Sequence, residues 1–122
     1  MIERPHTQMP VWQKSMQLIH LVYTLATTFP DSEKEGLGRR IKSRLTDIPV
    51  AIASALGNGL HTASASHLKH ALEAVAEVET LLLVAVQVGI LRQNEFGQLQ
   101  DEMVAIQQEL LLLINRVEKK KR

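Results

Sequence analysis

The strongest constraint on this chain lies in its last third. Leu99, Met103, Ile106, Leu110, Leu113 and Val117 follow one another at alternating four- and three-residue steps. That spacing places six apolar side chains along one stripe of an α-helix, the pattern of a bundle seam. Such a helix cannot bury its stripe alone, so the rest of the chain must supply partners. Glycine and proline gather at few places, namely residues 5–10, 29–30, 36–38, 57–59, 89 and 97. Long stretches of helical periodicity lie between them, and none alternates apolar and polar residues like a half-buried strand.

These breaks predict four helices. The first runs over residues 10–28, with Pro10 suited to the first helical position and Trp12, Met16, Ile19, Tyr23 and Ala26 as its stripe. Phe29-Pro30 stops it, because a residue before proline avoids the α region. The second runs over residues 37–56, on Leu37, Ile41, Leu45, Ile48, Ile52 and Leu56. Pro49 lies inside it and costs about 3 kcal/mol in a straight helix. The stripe keeps its register across Pro49, which predicts one helix kinked there; Gly57-Asn58-Gly59 ends it. The third starts at Ser64 or Ser66, with a serine as N-cap, and runs to residue 88 on Leu68, Ala71, Val75, Val78, Leu82 and Ala85. Gly89 is its natural stop. The fourth covers residues 93–117. Short connections make the expected fold all-α, an antiparallel up-down-up-down four-helix bundle.

Composition bounds the remaining possibilities. With 122 residues the chain is expected to form one domain over residues 1–122, with an extended or disordered start over about residues 1–9 and a basic tail over residues 118–122. Hydrophobic residues make up 45% and aromatic ones 3%, so the core must be largely aliphatic and stacking platforms for single strands are scarce. The net charge of +1 carries no global signal for a polyanion or a membrane. Absence of cysteine excludes disulfides, thiol redox chemistry and cysteine-ligated zinc. Residues 1–10 do not read as a signal peptide. The most apolar run, residues 81–91, is too short to cross a bilayer, which takes about 20 residues. A cytoplasmic protein without a membrane or small-molecule partner is the expectation.

Two helices carry more apolar residues than one seam needs. Leu81, Val84 and Val88 lie off the third seam, and Val104, Leu111, Leu112 and Ile114 off the fourth. A helix apolar nearly all round must be covered nearly all round. Leu81, Val84, Val88, Leu111 and Ile114 are therefore expected to form a homo-oligomer interface.

Several short motifs occur in a specific order. Val11-Trp12-Gln13-Lys14 opens the first helix and Phe29-Pro30 closes it. Glu33, Gly36-Leu37, Ile41, Arg44, Ile48-Pro49, Ile52-Ala53 and Gly57 follow, then Ala71-Leu72, Ala76-Glu77, Glu79-Thr80, and Gly89-Ile90-Leu91. In these residues the chain resembles the four-helix-bundle family encoded in intervening sequences of bacterial 23S ribosomal RNA genes. The resemblance spans residues 11–117. It implies a bundle similar to the accessory variability determinant of diversity-generating retroelements, a homopentameric barrel that binds nucleic acid and a reverse transcriptase. The chain departs from the family where Ala51 and Ser54 replace an expected Asn and Glu. Either a shared polar function is lost there or the core is repacked with apolar groups.

Chemistry-bearing residues are sparse. Arg39, Arg40, Lys42 and Arg44 place four cations within six residues, a potential phosphate contact balanced by Asp31, Glu33, Glu35 and Asp47. A ring-shaped oligomer would repeat the patch around its axis. Lys119, Lys120, Lys121 and Arg122 suit a helix C-terminus and could add an RNA contact. His61, His67 and His70 lack the spacing and third ligand of a metal site. Glu77 and Glu79 diverge at i,i+2 and cannot face each other as an acid–base pair; Glu79, bordering the seam, is expected to hydrogen-bond between helices or subunits. There is no nucleophile–base order, phosphate loop or nucleotide fingerprint, so no catalytic residue and no cofactor is assigned. The reading is a non-enzymatic homo-oligomeric bundle, pentameric by resemblance, that contacts RNA or DNA. The alternatives are a protein-interaction or structural scaffold, and an accessory subunit of a reverse transcriptase.

Overall fold

The computed structural model describes residues 5–57 and 59–120, with Lys120 described in its backbone only. Expectations for residues 1–4, Asn58, Lys121 and Arg122 lie outside the described residues. Four long helices carry the fold: α1 (Pro10–Ala26), α3 (Leu37–Leu56), α4 (Ser64–Gln87) and α5 (Gln93–Lys120), with a one-turn α2 (Asp31–Lys34) between the first two. Each long helix packs on its neighbour in sequence, and α5 closes the square against α1. The broadest packing joins α3 to α4. This is the antiparallel four-helix bundle that the seams predict. Among the described residues no helix is long and apolar enough to cross a membrane.

Three of the four stripes are buried as the sequence implies. Leu99, Met103, Ile106, Leu110, Leu113 and Val117 of α5 share one buried core with the α4 seam from Leu68 through Ala85 and the α3 stripe from Ile41 through Leu56. Leu37 is only partly buried, at the edge. Helix α3 runs through Pro49 as one element rather than two, and Pro49 is itself buried. Its missing N–H leaves the Leu45 carbonyl without the usual i+4 donor.

The stripe on α1 is not the expected one. Val11, Ser15, Leu18, Val22 and Ala26 face the core, one residue away from the expected set apart from Ala26. Trp12 and Ile19 are half-buried, while Met16 and Tyr23 are exposed. Ser15 is the physical reason that the true stripe was hidden. A polar residue interrupts it, yet its hydroxyl donates to the Trp12 carbonyl at 2.7 Å and so tolerates burial. The bulkier Trp12 and Tyr23 sit at the rim, where their amphipathic rings face both core and solvent.

The ends of the helices differ from expectation in two places. Residues 5–8 form a 3-10 turn instead of an extended arm, and His6 lies edge-on to Trp12 with ring centroids 5.4 Å apart. Ser64 is not an N-cap. Ala63 takes that position without a side-chain bond, and Ser64 lies inside the helix, 1% exposed. Its hydroxyl donates to the Ala55 carbonyl of α3 at 2.6 Å and accepts the His61 N–H at 3.2 Å. It therefore ties the end of α3 to the start of α4. Gly89 does stop α4. With φ of 82° it lets the Ile90 N–H reach the Ala85 carbonyl at 2.9 Å and its own N–H reach that of Val86 at 3.1 Å, a Schellman closure.

Polar or cationic side-chain contacts clip all four helix–helix seams. Lys14 meets Glu109 at 3.1 Å between α1 and α5, and Lys69 meets Glu118 at 2.8 Å between α4 and α5. Arg44 meets Glu77 at 3.6 Å between α3 and α4, and Lys42 lies 4.9 Å from the Tyr23 ring centroid between α3 and α1. Such contacts contribute little stability each, but they favour one register.

Candidate nucleic-acid interface

The basic cluster occupies the first two turns of α3. Its placement depends on Gly38, where a Cβ would stand 3.2 Å from the Glu33 carbonyl oxygen and 3.8 Å from the Phe29 ring. Glycine thus lets the α2 turn and buried Phe29 close tightly over the start of α3. Helical geometry then divides the four cations. Arg40 and Arg44 share a face at i,i+4, with Arg39 alongside. Lys42 points to the opposite edge and lies over Tyr23.

Three of the four are already engaged. Arg39 pairs with Glu35 one turn earlier, both well exposed. Arg44 sits between Asp47 at 3.3 Å and Glu77 at 3.6 Å. Arg40 is exposed and has no ion-pair partner among the described residues. The structure thus brings Arg39, Arg40 and Arg44 together and separates Lys42 from them. These three arginines, with Ser43, form one wall of an open groove of about 740 Å³ between α3 and α4. Ala76, Glu77, Thr80 and Leu81 form the other wall.

The α4 wall was not legible as part of a site. Glu77 contributes a carboxylate to the groove and a clip to Arg44, whereas Glu79 makes no hydrogen bond or ion pair to another helix of its own chain among the described residues. Thr80 donates its hydroxyl to the Ala76 carbonyl at 2.9 Å rather than to Glu79. The sequence signal was the opposite charge of Arg44 and Glu77, but only the α3–α4 register brings them together.

The apolar surplus separates into two classes. Leu81 at 9% and Ile114 at 7% exposure belong to the chain's own core, so neither is surplus to the bundle. Leu81 closes the edge of the α3–α4 seam, and Ile114 sits one position from the Leu113 seam on the inward side. Val84, Val88 and Leu111 are exposed, as are Leu112, Val104 and Leu83. Helix α1 adds exposed Met16 and Leu21, which the sequence reading did not single out as surface.

The remaining positions are plain. His61, His67 and His70 are exposed, and no group of three metal-capable side chains gathers among the described residues. Ala51 is buried in the core, so an apolar residue there is a packing element. Ser54 is exposed and donates to the Val50 carbonyl of its own helix at 3.0 Å. The two departures from the family pattern therefore fall in different environments. Lys119 is exposed at the end of α5.

Residues 7–111 match the family model described as 23S rRNA-intervening sequence protein. A crystal structure from Bacteroides thetaiotaomicron VPI-5482, described as a protein of unknown function from the S23 ribosomal protein family, is similar in fold. It aligns at a TM-score of 0.76 and 19% identity, over 85% of this chain and 97% of that one. No curated protein matches the chain.

Proposed function

The chain belongs to the 23S rRNA-intervening sequence protein family, and from that premise we propose that it is a non-enzymatic, self-associating bundle that binds nucleic acid through the start of α3. The observation carrying this reading is Arg40, an exposed guanidinium with no ion-pair partner among the described residues, flanked by Arg39 and Arg44. Arg39 adds a second accessible cation, since its pairing with Glu35 is solvent-exposed and weak. Repetition of this face around a homo-oligomer, five-membered by the family resemblance, would turn a weak local field into a continuous one. Exposed Val84, Val88, Leu111 and Leu112 support self-association. The cell compartment that suits such a role is the cytoplasm.

Anisotropy titration of fluorescent structured RNA across salt concentrations tests the proposal. Binding should weaken steeply with salt, and Arg39→Glu with Arg40→Glu should abolish it at low salt. These two are the appropriate variants because Arg44 also clips α3 to α4. Wild-type protein that fails to bind RNA or DNA at low salt, or a double variant that binds normally, overturns the reading. Light scattering checks the other half, since a monomer at micromolar concentration would leave the bundle without its ring. A purely structural scaffold is the second reading, favoured by the near balance of Arg39, Arg44 and their carboxylates; oligomers without salt-dependent RNA binding would establish it. An accessory role beside a reverse transcriptase rests on fold analogy alone.

A further inference from the structure

The α3–α4 groove contains more than a phosphate contact requires. Arg39 and Arg40 lie on its α3 wall, near the start of that helix. Arg44 and Glu77 stand across from each other, guanidinium to carboxylate, at 3.6 Å. Ala76 and Leu81 add apolar surface beside them. A site for the sugar-phosphate backbone alone gains nothing from a carboxylate, which repels phosphate. A carboxylate beside a guanidinium and an apolar surface is instead the equipment for holding the edge of a base while its face packs on aliphatic carbon.

Base chemistry then selects the ligand. Guanine alone among the four RNA bases offers two adjacent donors, N1–H and N2–H, that one carboxylate can accept side by side. It also presents O6 next to N1–H, where a neighbouring guanidinium can donate. Adenine and cytosine each offer a single amino group on that edge, and uracil a single N–H. An unpaired nucleotide is required, because duplex pairing consumes this edge. We propose that the α3–α4 groove binds an unpaired guanine nucleotide, with Glu77 accepting from N1–H and N2–H, Arg44 donating to O6, and Arg39 and Arg40 holding the flanking phosphates. This inference rests on the nucleic-acid reading and specifies the ligand of the same face. The loose Arg44–Glu77 pair opens by a small movement of two half-exposed side chains to admit the base.

The test uses single-stranded oligouridylates carrying one central guanosine, inosine or adenosine, titrated by fluorescence anisotropy at low salt. Inosine keeps O6 and N1–H but lacks the N2 amino group. The guanosine strand should bind the wild-type protein about tenfold more tightly than the inosine strand. Glu77→Gln should erase that difference, and Arg40→Ala should weaken all three strands by a similar factor. Equal binding of guanosine and inosine strands by the wild-type protein overturns the guanine assignment while leaving the nucleic-acid reading in place. A guanosine preference that survives Glu77→Gln overturns the role of Glu77 and the assignment with it. Failure of every strand to bind at low salt overturns both. The inosine comparison needs no variant, so it stands whatever Glu77→Gln does to the fold.

Discussion

Ser64 offers the sharpest check on how the bundle is held. Its hydroxyl is 1% exposed, donates to the Ala55 carbonyl at 2.6 Å and accepts the His61 N–H at 3.2 Å. The Ala55 carbonyl sits in the last turn of α3, where helix carbonyls lack intrahelical donors. The Gly59 N–H, which would serve it in a longer helix, goes to Leu56 instead. Ser64→Ala removes its donor and leaves a shielded acceptor, and it also strips the His61 N–H of its partner. The loss is about 2–3 kcal/mol, taking the penalty of a buried unsatisfied group as dominant. In a domain of this size that lowers Tm by about 10 °C. Urea unfolding at fixed protein concentration measures it, since self-association would otherwise shift the midpoint. The m-value should stay constant. Ser64→Asp separates this account from an N-cap role. Aspartate caps helices as well as serine does, but here a buried carboxylate would face the Ala55 carbonyl, acceptor against acceptor, and should destabilise more than alanine. The exposed Ser66→Ala should change stability by less than about 0.5 kcal/mol. An aspartate variant as stable as wild type, or an alanine variant within about 0.5 kcal/mol of it, would refute the tie between α3 and α4.

Two further stability predictions follow from the same packing. Gly89→Ala should cost about 1 kcal/mol, because residue 89 has φ of 82° in open space and only the left-handed backbone penalises a side chain; an unchanged thermal midpoint would contradict the Schellman closure. Leu110→Ala removes a fully buried side chain and should cost about 2–5 kcal/mol. Leu112→Ala, two residues along on the outer face, should cost less than about 0.5 kcal/mol in the monomer. Equal losses at both positions would place the α5 seam wrongly.

Much of the fold was written into the spacing of apolar residues. On α3, α4 and α5 every seam position is an apolar side chain, so periodicity alone named the buried faces and, with glycine and proline between them, the number of helices. Pro49 did not mislead, because the stripe kept its register across it. On α1 the same reasoning chose a face one residue away. Ser15 satisfies its hydroxyl within its own helix, and a sequence pattern counts it as polar regardless. The family was legible too, through the order and spacing of short motifs such as Ile48-Pro49 and Gly89-Ile90-Leu91.

The candidate site divides differently. The sequence alone determined that four cations start α3, because their identity and i,i+4 spacing are local facts. Tertiary structure decided what those cations meet. It sent Lys42 to Tyr23, brought Glu77 against Arg44, and left Arg40 without an ion-pair partner among the described residues. It also took Leu81 and Ile114 into the core while leaving Val84, Val88 and Leu111 outside. The physical reason is that a helix's own periodicity fixes which residues share a face, whereas which face meets which neighbour depends on the register between helices. That register comes from contacts far apart in the chain, such as Lys69 with Glu118 and Lys14 with Glu109, and no local spacing encodes them.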